Sequence, residues 1–168
     1  MLNLFKKIFI STLILISLES SASSISKDAE DRGINDKCHK YLTEVENAYQ
    51  LSGLNMTFVH PENNENLPSL HVSSQIYNNG SSTFSATLVP DKENCYLSTV
   101  MVTAINNQSC SQIAQIKSKN DQNLQTSNYA DGKFIVITPK DDTYQTILSS
   151  SGENSCTITE SRMMWPGR

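Results

Sequence analysis

Apolar side chains change their spacing along this chain, and the changes mark its elements. From Ile8 to Leu18 they form one run broken only by Ser and Thr. Between Asn35 and Gly53, Cys38, Tyr41, Leu42, Val45, Ala48 and Tyr49 recur at intervals of three and four, the spacing of a one-sided helix. Asn35 or Asp36 can cap its start, and Gly53 is a natural stop. Leu54 to Val59 reads as a short strand, and the polar stretch from Pro61 to Pro68 as a loop.

Beyond Pro68 the period drops to two. Leu70, Val72 and Ile76 fall on one face of a strand. Asn78-Asn79-Gly80-Ser81 reads as a tight hairpin turn, because Asn and Gly accept positive φ. Phe84, Ala86 and Leu88 share one face of the returning strand. A turn at Pro90–Asn94 leads to a long strand, Cys95–Ile105, apolar on both faces and so suited to a central place under a helix. Ser109 or Ser111 can cap a short second helix around Ile113, Ala114 and Ile116. Residues 117–130 are polar and read as a mobile stretch. Strands follow at Phe134–Thr138, Tyr144–Leu148 and Cys156–Trp165, with turns between them. The expected fold is α+β: an N-terminal helix on an antiparallel sheet of about five or six strands, a short second helix, and two disulfides.

The first run changes the picture of where the chain works. Lys6 and Lys7 precede it, and Ser20-Ser21-Ala22 supplies small side chains after it. Basic, apolar, small is the order of a secretory signal peptide. The run is about half the roughly 20 apolar residues a membrane span needs. Residues 1–22 are therefore expected to be a removable leader, 23–35 a flexible lead-in, and 36–168 one domain. The compact leader looks bacterial, which places the mature chain in the periplasm or outside the cell. No membrane insertion is expected after cleavage.

Export gives the cysteines a meaning. Cys38, Cys95, Cys110 and Cys156 are even in number, with long spacings and no Cys-x-x-Cys pair. Two disulfides are expected, rather than zinc binding or redox chemistry. A straight strand would hold Cys95 and Ile105 about 33 Å apart, and the short return to Cys110 covers about half of that. Cys95 and Cys110 are thus too distant for a bridge. If the second helix carries the chain back to the starting edge, Cys95 and Cys156 head strands at that edge. The preferred pairing is therefore Cys95–Cys156 with Cys38–Cys110, and the alternative is Cys38–Cys95 with Cys110–Cys156. Glu93-Asn94 and Glu153-Asn154 each precede a cysteine at a strand head, a hint of an internal repeat.

Composition excludes more than it selects. The formal net charge is −4, and becomes −5 once Lys6, Lys7 and Glu19 leave with the leader. That balance argues against nucleic acid or anionic membrane as the partner. His39, His60 and His71 lack metal-ligand spacing. His39 adjoins Cys38, but neighbours on a helix point about 100° apart. His71 alternates with Leu70 and Val72 and is expected on the solvated side of its strand. Glu44 and Glu46 fall on different helix faces, Asp141-Asp142 reads as a turn, and Lys117-Ser118-Lys119 as a solvated segment. No serine sits in a nucleophile elbow and no glycine-rich phosphate loop occurs. Asn55, Asn79 and Asn107 begin Asn-x-Ser/Thr triplets of the kind that arise by chance in so polar a chain. Tyr77, Tyr96, Tyr129, Tyr144 and Trp165 could form an aromatic patch but are expected to cap strand ends. With no catalytic, cofactor or metal residue assigned, the expectation is a protein-binding module of the periplasmic immunity or inhibitor kind, blocking a toxin or enzyme. The alternatives are a secreted hydrolase or effector with a scattered site, and a small-ligand or envelope-structural protein.

Overall fold

A computed structural model describes residues 24–164. The expected leader, residues 1–22, and Trp165 lie outside the described residues. The order of elements is α1 (Ile25–Asp31), α2 (Asp36–Tyr49), β1 (Leu54–Phe58), β2 (Ser69–Tyr77), β3 (Gly80–Asp91), β4 (Asn94–Asn106), α3 (Cys110–Asn120), β5 (Leu124–Tyr129), β6 (Phe134–Pro139), β7 (Gln145–Gly152) and β8 (Ser155–Met164). The fold is α+β. All strands join one open antiparallel sheet in the order β1-β2-β3-β4-β8-β7-β6-β5. Among the described residues the sheet has eight strands, not five or six, and there are three helices, not two.

The strand order is that of two four-stranded meanders joined at β4 and β8. Each meander follows a helical segment, and each is stapled once. Cys38 near the start of α2 bonds Cys95 at the head of β4, and Cys110 at the start of α3 bonds Cys156 at the head of β8. The internal repeat hinted at by the two Glu-Asn steps is therefore architectural. The preferred pairing, Cys95–Cys156 with Cys38–Cys110, is wrong and the alternative is right. The reason is strand direction. β8 runs antiparallel beside β4, so Cys156 sits opposite Ile105, at the far end of β4 from Cys95.

Both helical segments lie on the same face of the sheet. On the first half, Cys38, Leu42 and Val45 of α2 pack on Phe84, Ala86, Leu88 and Leu97. Asn35 caps α2, and Gln50, in the left-handed region, ends it. Gly53 is therefore not the helix stop. A Cβ there would fall 1.8 Å from the Ser74 carbonyl oxygen, so glycine is required by the close passage of the chain into β1. Gly80 has a similar role: the turn at 78–79 uses no positive φ, and a Cβ on Gly80 would meet the Ala104 carbonyl at 1.9 Å.

Residues 25–31, expected as part of a flexible lead-in, are a helix. Ser24 accepts a hydrogen bond from the Lys27 N–H, and Ile25 and Ala29, one turn apart, are buried. Glu46 of α2 secures it. Its carboxylate accepts from the backbone N–H groups of Ile25 (2.9 Å) and Ser26 (3.2 Å) and from the hydroxyls of Ser24 and Ser26. These are donors that a helix start leaves without an intrahelical partner.

On the second half, α3 begins with a capping box between Ser109 and Gln112. Ile113 and Ala114 pack on Ile135, Ile137 and Leu148. The stretch 117–130, expected to be mobile, finishes α3 and forms β5, an edge strand paired along its length with β6.

Candidate functional site

Strand alternation divides the sheet into a helix-covered face and an open one. The burial pattern of β3, with Ser82, Phe84, Ala86 and Leu88 inside, assigns Ser81, Thr83, Ser85, Thr87, Val89 and, at its end, Asp91 to the open face. Cross-strand register extends that face in both directions. It takes Val72, Leu70 and Ile76 on β2, then Leu54, Met56 and Phe58 on β1. It takes Tyr96, Ser98, Val100, Val102 and Ala104 on β4, then Thr157, Thr159, Ser161 and Met163 on β8. It ends with Gln145, Ile147 and Ser149 on β7, Phe134, Val136 and Thr138 on β6, and Gln125, Ser127 and Tyr129 on β5.

Asp91, at the rim, is the one Asp, Glu, Lys or Arg among these positions, in a chain that is 18% charged. The other side chains are aliphatic, aromatic, hydroxyl or amide. Ile76 is 90% exposed and Leu54 72%, and Met56, Phe58, Tyr129, Phe134 and Met163 are also well exposed. Eight strands at about 4.8 Å spacing, averaging about 30 Å in length, give a face on the order of 1,000 Å².

This assignment reverses one expectation. Leu70, Val72 and Ile76 do share a face, but it is the open one. The buried face of β2 is Ser69, His71 and Ser73. His71, expected in solvent, is 0% exposed beneath the helices. Its Nε2 lies 2.8 Å from the Ser69 hydroxyl and its Nδ1 3.3 Å from that of Thr57. Burial chiefly, then Asp28 and Arg32 acting in opposite senses, sets its titration. The net effect lowers its pKa to about 4, so the ring is neutral near pH 7. Ser69 and His71 form a hydroxyl–imidazole pair of the kind that makes a nucleophile and its base. Both are closed off from solvent, and neither lines the cleft described next.

The described residues include a cleft of about 700 Å³ where the two meanders meet at one end of the sheet. Tyr41 and Glu44 of α2 form one wall, and Asp141, Asp142 and Tyr144 of the β6–β7 turn form another. Arg162 enters it from β8, with its guanidinium 4.6 Å from the Tyr144 ring centroid and 5.8 Å from that of Tyr49. Glu160 compensates it at 2.9 Å and also accepts a hydrogen bond from the Tyr49 hydroxyl. Burial, with Glu160 adding to it, raises the Tyr49 pKa. This polar knot ties α2 of the first half to β8 of the second. It holds no histidine and no free thiol, because Cys95, which also lines it, is bridged to Cys38.

The remaining candidates do not converge. His39 sits near Thr43 on the same helix, and the His60 ring accepts from the Glu62 N–H in an exposed loop. Asp141 closes its own turn by accepting from the N–H and hydroxyl of Thr143. Glu44 lines the cleft, whereas Glu46 is spent on α1. Lys117 and Lys119 lie in the last turn of α3. Asn79 is in the β2–β3 turn, Asn107 follows β4 with a positive φ, and Asn55 lies within β1. Of the aromatics, Tyr96 and Tyr129 join the open face, Tyr77 faces the helix side with its hydroxyl on Ser82, and Tyr144 stacks on Arg162. Among the described residues no group of three His, Cys, Asp or Glu is arranged to hold a metal ion, and no helix is long and apolar enough to cross a membrane.

The signal missed in the sequence was the absence of charge at alternate positions in strand after strand. No family model matches the chain, and neither a curated protein nor a solved structure matches it.

Proposed function

We propose that the mature chain is an exported, disulfide-stapled protein-binding module that docks its partner on the open face of the sheet. Blocking a toxin or enzyme of the same compartment is the activity this reading favours. One observation carries it: a face of interface size whose outward side chains are uncharged everywhere inside its rim, where Asp91 stands. Exposed apolar patches of monomeric proteins are usually a few hundred Å², and a standard interface takes about 800 Å² from each partner. Charge is depleted from interface centres, where it would have to be desolvated. Small hydroxyls supply hydrogen bonds at little entropic cost, while Phe58, Tyr129, Phe134 and the aliphatic residues supply buried area. Catalysis is not required, since covering a partner's cleft is enough to silence it.

The test is site-directed photo-crosslinking in the cells that make the protein. Benzoylphenylalanine replaces Val102 at the centre of the open face, or Gln115 on the exposed side of α3 as the control. The expected result is one protein adduct at Val102 and none at Gln115. No adduct at either position, or equal adducts at both, refutes docking on this face.

A further inference from the structure

The partner has a recognisable electrostatic character, an inference that rests on the docking reading above and adds the partner's chemistry to it. The face itself selects no sign of charge, but its border does. Antiparallel register places the end of β1, the start of β2, the end of β3, the start of β4, the end of β8, the start of β7, the end of β6 and the start of β5 at one end of the sheet. The connections there are 59–68, 92–93, 121–123 and 140–144. With Asp91 at the end of β3 they carry the seven carboxylates Glu62, Glu65, Asp91, Glu93, Asp121, Asp141 and Asp142 against only Lys92 and Lys140, a net of −5.

The opposite end is nearly bare of charge. Its connections 50–53, 78–79 and 107–109 contain none, 130–133 balances Asp131 with Lys133, and the β7–β8 turn adds Glu153. The helix layer is close to balance, with Lys27 held to Glu30 and Asp31, and Arg32 to Asp28. Little at the acidic end is neutralised within the chain. Among the described residues, Lys37 reaches Glu93 at 4.0 Å, and Glu62, Glu65, Asp91, Asp121, Asp141 and Asp142 take part in no salt bridge. The cleft with Asp141 and Asp142 on its wall opens at this same end.

An uncharged patch bordered on one side by a negative crest fits a surface of the converse kind. We infer that the occupant is a folded, basic protein whose docking patch is uncharged and is bordered along one side by Lys or Arg. The crest lies over that basic border, which fixes the orientation of the complex. It accelerates encounter by long-range attraction while the uncharged face supplies the buried area. A second copy of this chain fits poorly in any arrangement that stacks crest on crest.

The inference is tested on the protein trapped at Val102, identified by peptide mass spectrometry and then purified. Its association with the mature chain is followed at about 50 and about 300 mM salt, across the range in which screening changes most. The comparison variant is the triple charge reversal Glu62→Lys, Glu65→Lys, Glu93→Lys. All three side chains are exposed, and circular dichroism verifies its fold. The expected result is a basic partner, an association rate that falls about 10- to 100-fold in the variant, and a salt dependence that flattens or reverses. The dissociation rate stays within about threefold. An acidic partner, a second copy of this chain as the adduct, or an association rate indifferent to the three reversals overturns the inference and leaves docking on the face standing. No adduct at Val102 overturns both.

Discussion

The two halves share one plan, a helical segment over a four-stranded meander with one disulfide to its last strand, yet they are filled differently. The first half buries Ser26, Glu46, Thr57, Ser69, His71, Ser73, Ser82 and Thr99 together with its apolar core. Among the described residues the second buries a single uncharged polar side chain, Thr146, beside a small apolar cluster. Two helices cover the first half and one covers the second. A large layer tolerates buried polar groups because enough apolar area surrounds them, whereas a small one must be nearly dry and depends on its staple. The comparison also explains why the ionisable chemistry beneath the helices lies in the first half, while the shared open face, inside its rim, remains uncharged from β1 to β5.

The strongest way to break the comparison is to remove the staples. By loop-closure entropy, the two bridges, with sequence separations of 57 and 46, are worth about 4 kcal/mol each. Equal energies have unequal consequences. Cys110→Ser with Cys156→Ser is expected to detach the small second core, giving two unfolding transitions and early amide exchange in β5 to β7. Cys38→Ser with Cys95→Ser is expected to lower a single transition. Hydrogen-exchange mass spectrometry with denaturant titration measures both, and one shared transition for both variants refutes the proposed inequality.

Next is acid. His71 titrates near 6.5 when the chain is unfolded and at about 4 when folded. Between those values the unfolded chain binds a proton that the folded chain refuses, so stability falls as pH falls from about 6.5 to about 4. It is retained above that window. The loss is about 3 kcal/mol. His71→Gln is expected to remove most of this slope, read from urea midpoints at pH 7 and pH 4. A wild-type midpoint that is flat across the window places the ring in solvent and contradicts its burial.

His71 also shows what the sequence conceals. On β2 the apolar residues alternate as they would on a core-facing strand, and the opposite face is Ser, His and Ser. Periodicity identifies two faces but not which one the helices cover. That choice is made by chain geometry, as Gly53 presses β1 against β2, and by the small hydroxyl side chains that let α1 and α2 approach. Where one face was clearly richer, as with Phe84, Ala86 and Leu88, the inner face was legible. The stripe of α2 was legible for the same reason. Helix α1 escaped because only Ile25 and Ala29 mark it, and its support comes from Glu46, distant in sequence. The disulfide preference failed on a single assumption, the direction of β8. The open face was hidden because its signature, charge absent at every second residue, emerges only after the strands are in register.

Glu46 offers a smaller test on the first half alone. Glu46→Ala leaves the donors of Ser24, Ile25 and Ser26 without their acceptor in a buried setting. The expected cost is about 2 kcal/mol, with faster exchange confined to residues 25–31. Glu46→Gln is expected to restore about half of the loss, since the amide oxygen still accepts but carries no charge. A loss of protection in β5 to β7 contradicts a local role.

The smallest effect is expected from Thr146, and it has the opposite sign. Its hydroxyl is buried on the inner face of β7 without a hydrogen-bond partner among the described residues. An unmet buried hydroxyl is costly, and valine replaces it with a methyl group of nearly the same volume. Thr146→Val is therefore expected to stabilise the second half by about 1 kcal/mol. The same kind of repair on the first half, Ser73→Ala, removes another unpartnered buried hydroxyl but also leaves a slightly smaller side chain beneath the helices. Its gain is expected to be smaller, and the difference between the two repairs measures how closely each half is packed. Paired thermal melts of the two variants decide it: a destabilised Thr146→Val shows that its hydroxyl is satisfied in solution and that the second core is wetter than its small apolar cluster implies.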